Sequence, residues 1–251
     1  IFAIVIFSLG SGVLRQWHPD WDSALRWGVA FLAAVLFFVS ILLHELAHAT
    51  VARVQGIPVR GITLFLFGGL AHIEGEPKSP AGEFVMAIVG PITSLAIGIL
   101  ALVVARSLLP GDAASFAANP ARSLEQLAPL PTLLFWLGPV NLLLGVFNLI
   151  PGFPLDGGRV LRAALWAITG SMTRATRWAA AVGQGVAWLL IGLGVLMVFG
   201  VPVPFLGVGL FQGFWIILIG WFIASGARGS LAQVMASHAL AGVPVRRLMM
   251  T

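Results

Sequence analysis

The sequence predicts an all-α polytopic membrane protein, a six-transmembrane-helix core with a small re-entrant β-hairpin between helices 2 and 3. Three observations carry that expectation. Of 251 residues, 59% are hydrophobic and only 9% are charged, where soluble domains carry about 25% charge. Apolar runs near the ~20 residues needed to cross a hydrocarbon core recur along the chain. Charges, Pro and Gly punctuate those runs, apart from the stretch ILLHELAHAT at 41–50, which sets two histidines and a glutamate inside one.

The first run, Ile1–Leu14, is short. It lacks a basic n-region and an A-x-A site, so it reads as the tail of a span rather than a cleavable signal peptide. The second, Ala24–Val54, is long enough to tilt or to project from the bilayer. Gly61–Glu74 (GITLFLFGGLAHIE) is too short and glycine-broken for a span but rich in residues suited to strands. Bracketed by Pro58 and Pro77, it is expected to form the re-entrant hairpin, turning at Gly68-Gly69.

Span 3 is Phe84–Leu109, preceded by Ser79 as N-cap, Pro80 at the first helical position and Glu83 in the first turn, where the helix dipole favours an acid. Gly90, Pro91 and Ser94 are expected to permit close packing or a kink. Span 4, Thr132–Ile150, runs into the broken segment NLIPGFPLDGGR. Trp178–Phe199 and Phe205–Ala224 complete the set. Residues 1–226 are expected to form the membrane core and 227–251 a cytoplasmic tail.

The net charge of +5 rests on 13 Arg and one Lys against nine acids. Without aromatic-basic interleaving, that excess argues for cytoplasmic anchoring on a lipid bilayer and against nucleic acid. Arg53, Arg60, Lys78, Arg159, Arg162, Arg174, Arg177, Arg228, Arg246 and Arg247 fall on one side of the six-span scheme. Arg15, Arg26, Arg106 and Arg122 fall on the other. Ten against four puts both termini in the cytoplasm by the positive-inside rule. His44–His48 and the Asn148–Asp156 segment then reach a similar depth, in the cytoplasmic half of a multi-pass cell-membrane protein.

Each ionisable group at mid-bilayer costs on the order of 2.5–3.5 kcal/mol on insertion scales, so HELAH needs an offset. Positions i and i+4 share a helix face, so His44 and His48 can reach one metal with Glu45 alongside. The chain has no cysteine, so a zinc site must be built from His and carboxylate. Two histidines and one carboxylate with an open position are an established catalytic set. A nearby Glu can accept a proton from the attacking water. Among the nine acids, Asp156 alone combines the right side, the right depth and a broken backbone. The competing reading is that it simply caps a short helix, Gly157–Ile168. Asn148 and Asn141 face alike on span 4 and could hold a substrate carbonyl or oxyanion. For Asn141 an interhelical hydrogen bond is the preferred reading.

HELAH, the NLIPGFPLDGG segment with its N-x-x-P-x-x-P-x-D-G pattern, FGGLAHIEGEP and GEFVMAIVGPITS together resemble the site-2 protease family of intramembrane zinc metalloproteases. The resemblance covers almost the whole chain. It implies one Zn2+ per chain held by His44, His48 and Asp156, with Glu45 as general base, and a transmembrane protein substrate cleaved in or near the bilayer. His72 is read as non-ligating, since a fourth protein ligand would close the site. The Pro110–Pro131 loop is too short for a PDZ domain. VPVRRLMMT at the C-terminus resembles the opening of a CBS domain, implying a nucleotide-regulated CBS region beyond this chain. The alternative from another class is a membrane metal-ion transporter or sensor using the same His and Asp groups. It would be expected to show several polar stations along its spans, and spans 3, 5 and 6 are almost devoid of them.

Overall fold

The structure is a computed structural model describing residues 2–65, 68–73, 75, 77–109, 120–204 and 206–240, with backbone alone at 62–65, 68–73, 120–122 and 230–240. Its described elements are helices apart from one pair of strands and an isolated bridge, Val203 to Gly207. Among the described residues, five helices are long and apolar enough to cross a membrane. The first expected span is the exception. Its residues form α1 (Phe2–Trp17), which is shorter than the ~20 residues a crossing needs. A widened π-helical stretch at Leu9–Val13 interrupts it.

The chain divides into two compact units, one made of Ile1–Gly75 with Val89–Val146, the other of Glu76–Ile88 with Phe147–Thr251. In the first, α2 (Ser23–Val54) starts where Asp22 accepts a hydrogen bond from the Leu25 N–H at 2.9 Å. Its 32 residues make a rod about 48 Å long, more than the ~30 Å hydrocarbon thickness. It stops at Gly56, which takes φ +75° and donates to the Arg53 carbonyl at 2.9 Å. That left-handed conformation is cheap only without a Cβ. Ala30, Ala33, Ala34, His44, His48 and Ala52 are all buried on this helix. Positions 30, 33 and 34, and 44, 48 and 52 several turns on, fall on one helical face at about 100° per residue, so both histidines point inward.

β1 (Val59–Phe65) and β2 (Gly68–Ile73) pair antiparallel and lie against α2. Phe65 pairs with Gly68 and Leu64 with Gly69. Both glycines are therefore strand residues, which corrects the expected turn at Gly68-Gly69. The connection falls at 66–67, outside the described residues. Glu74 and the His72 side chain also lie outside them.

α3 (Pro80–Ser107) begins as the sequence predicts, with Ser79 Oγ accepting from the Gly82 N–H at 3.1 Å. After α4 (Pro120–Glu125), α5 (Pro129–Asn148) runs close to α3 within the first unit. A Cβ on Gly98 would meet the Gly138 carbonyl oxygen at 2.9 Å, so the two backbones approach through a glycine pair. Leu9, Leu14, Val29, Ala30, Ala33, Leu133 and Leu137 form this unit's buried apolar cluster.

The second unit contains α6 (Asp156–Thr169), α7 (Met172–Val198) and α8 (Leu210–Leu240). Gly194 of α7 and Gly213 of α8 sit against each other's carbonyls, where an added Cβ would come within 2.7 Å. Leu155, Ala187, Ile223 and Ala224 form an apolar cluster here. On the spans, large side chains such as Phe31, Leu32, Val103, Leu143, Trp188 and Trp215 remain exposed. A bilayer, unlike water, removes the cost of such surface.

Candidate metal centre

The HELAH helix turn delivers its two imidazoles together. His44 and His48 are each 4% exposed. Their Nε2 atoms face each other at 3.2 Å, with the rings at 72°. Two nitrogens bound to one tetrahedral zinc at 2.0–2.1 Å would stand about 3.3 Å apart. The pair is therefore already spaced for a shared metal. Glu45 follows on the same turn and is half-buried.

Ser94, wholly buried on α3, places its Oγ 2.9 Å from His44 Nδ1. A hydrogen on Nδ1, donated to that hydroxyl, leaves the Nε2 lone pair of His44 free for a metal. Such an outer partner fixes both tautomer and ring plane. One turn earlier, Gly90 leaves open the space in front of both Nε2 atoms. Sequence reasoning gave Gly90 and Ser94 only a packing role. Their i, i+4 spacing, with small or polar residues on one face of an apolar helix, was the available signal.

Asp156 is half-buried and is the first residue of α6. The N-cap position is Leu155, and Asp156 is the acid of the first turn. The preceding turn is tight enough to dictate composition. A Cβ on Gly157 would meet the Leu149 and Ile150 carbonyl oxygens at 2.3 Å, and one on Gly158 the Phe153 nitrogen at 2.6 Å. Only glycine lets the chain fold back on the end of α5 this closely, and the Phe153–Pro154 peptide within it is cis. His44 and His48 belong to the first unit and Asp156 to the second, and each carries a side-chain atom of the kind that can hold a metal ion. The donor set of two imidazoles and a carboxylate, with glycine backbone before the nitrogens, fits zinc.

Asn148 is the last residue of α5 and half-buried. Asn141 is wholly buried, but its Nδ2 donates to Leu137 O of its own helix at 2.9 Å. The expected interhelical bond is thus corrected to an intrahelical one, and its Oδ1 has no partner among the described residues. This happens because a helical side chain one turn from a carbonyl finds that acceptor first.

Residues 32–192 match the family model for peptidase family M50. The chain belongs to peptidase family M50, the site-2 proteases. It is 39% identical over 232 residues to sll0528 of Synechocystis sp., covering 92% of this chain, and 40% identical over 229 residues to Rip3 of Mycobacterium tuberculosis, covering 90%. Both relatives carry zinc metalloprotease in their names. The chain spans about half of their length, 54% and 52%. A solved site-2 protease from Methanocaldococcus jannaschii is similar over 92% of this chain and 88% of its own, with 30% identity and a TM-score of 0.55. Family membership makes the five apolar helices those of a multi-pass membrane protein in a zinc metalloprotease family.

Proposed function

We propose that this chain is the catalytic membrane core of a zinc endopeptidase that hydrolyses peptide bonds of transmembrane protein substrates. One observation carries the reading: two buried imidazoles whose Nε2 atoms face at 3.2 Å, in a chain of this family. His44, His48 and Asp156 would hold one Zn2+, which when bound supplies Lewis acidity to the scissile carbonyl. Glu45, adjacent to His44 on the helix turn, takes the proton from the attacking water and delivers it to the leaving amine. Asn148 orients the substrate carbonyl.

A peptide bond inside a helix is shielded by its own hydrogen bonding, so the substrate has to unwind before attack. The β1–β2 pair supports a route for that, since an antiparallel pair has free edges able to add an extended strand. In this reading the pair re-enters the membrane beside α2. The excess of basic residues on one side supports cytoplasmic termini and a site in the cytoplasmic half of the bilayer. Residues 1–226 are the membrane core and 227–251 the tail. The CBS-like stretch VPVRRLMMT lies outside the described residues and would join the tail to a nucleotide-binding regulatory region.

The test is Glu45→Gln in cells expressing a membrane-tethered reporter. The expected result is retained zinc and fold with cleavage abolished. Cleavage at the wild-type rate would remove Glu45 from the mechanism.

A further inference from the structure

Glu83 and Arg162, 79 residues apart, form a buried ion pair in the second unit. Glu83 is wholly buried in the first turn of α3. Arg162 Nε donates to its Oε1 at 2.6 Å, and Arg162 Nη2 donates to the same oxygen. Glu83 Oε2 is buried with no hydrogen-bond partner among the described residues. Arg159, one turn earlier on α6, also approaches Oε1, its Nε at 4.0 Å. The Arg162 guanidinium carbon stands 5.5 Å from the centroid of the Phe153 ring.

Stability is a poor explanation for this arrangement. Desolvating both ions offsets much of their attraction, and apolar replacements of such pairs are often neutral or stabilising. Directing two donors at one oxygen while leaving the other bare makes the pair worse still. What it supplies is position. Phe153 and Arg162 flank Asp156, three residues before it and six after, and they touch each other. The guanidinium therefore closes the turn that carries Asp156, and Glu83 anchors the guanidinium. Gly157 and Gly158 pack that turn onto backbone atoms, so little play remains between the clamp and the first residue of α6.

Resting on the zinc reading above, we propose that Glu83 is a positioning residue for the Asp156 carboxylate, acting through Arg162 and Phe153. Replacing the pair should loosen the carboxylate without unfolding the helices. The experiment titrates the purified chain in detergent with Co2+, reading affinity by chelator competition and geometry by visible absorption. It compares wild type, Glu83→Gln and the double variant Glu83→Met/Arg162→Met, whose apolar pair keeps the core filled without a stranded charge. The expected result is about tenfold weaker binding and an altered spectrum in both variants, in the range seen for supporting residues of metal ligands. On a reporter substrate, kcat should fall with KM unchanged. Wild-type affinity and spectrum in the double variant would overturn the proposal, whatever Glu83→Gln does, because its loss would then reflect the stranded Arg162. Wild-type protein that binds no Co2+ would overturn the zinc reading itself, and the positioning role with it.

Discussion

A Cβ on Gly90 would stand 2.1 Å from Nε2 of His48 and 2.6 Å from Nε2 of His44. The α3 backbone thus faces the ligating edge of both imidazoles with nothing in between. Such close approach is what glycine permits, and a methyl group there would have to push one ring aside. Gly90→Ala is expected to lower zinc content in purified protein severely, while the helix content by circular dichroism stays that of wild type. Full zinc occupancy in this variant would show that the rings can yield and that Gly90 serves packing alone.

Ser94 is a separate lever on the same histidine. Its hydroxyl at 2.9 Å is the partner of His44 Nδ1, and losing it frees the ring to rotate and to exchange tautomers. Ser94→Ala is expected to weaken zinc affinity roughly 10- to 100-fold, the usual range for an outer-shell partner. Chelator competition on the purified protein measures it, and an affinity within twofold of wild type would contradict the role.

Asp156→Ala distinguishes a ligand from a helix-start acid. As a ligand, its loss leaves two imidazoles, one short of the three protein ligands a catalytic zinc needs. Metal analysis is then expected to show strongly reduced zinc. A merely local role at the start of α6 would cost a few tenths to about 1 kcal/mol of stability and leave the zinc in place.

Much of this centre is legible in the sequence because its signals are local. HELAH specifies its own geometry, as the i, i+4 spacing fixes a shared face once the segment is helical. The broken end of α5 announces itself through Pro and Gly. The Glu83–Arg162 pair does not, because Glu83 in a first turn already has a sufficient local explanation in the helix dipole. Its partner lies 79 residues away. Gly68-Gly69 misled for a related reason: glycine pairs usually mark turns, but the register was set by pairing with Leu64 and Phe65. The first run is legible as a short apolar helix, whereas its π-helical break is not. The helix that forms there is short and π-interrupted, and Gly10 sits so close to the Trp27 ring that a Cβ would meet it at 2.5 Å.

His18 carries the last prediction, away from the metal centre and outside the spans. It is 1% exposed and stacked on Trp21, with ring centroids 3.8 Å apart. Its Nδ1 lies 3.2 Å from the Glu125 carbonyl oxygen and its Nε2 2.8 Å from Thr132 Oγ1. A carbonyl only accepts, so the neutral ring carries its hydrogen on Nδ1, and the single Thr132 hydroxyl hydrogen is shared between His18 Nε2 and the Ala128 carbonyl at 3.0 Å. Burial pushes its pKa below the ordinary 6.5, partly opposed by the Glu125 carbonyl and carboxylate. The unfolded chain therefore binds this proton at a higher pH than the folded one. Stability from His18 is fully present above about pH 6.5 and is lost as pH falls through the lowered folded value. Thermal unfolding in detergent between pH 7.5 and 5 is expected to show a falling midpoint in wild type. In His18→Gln that slope should flatten, and equal slopes in the two proteins would assign the acid sensitivity to other groups.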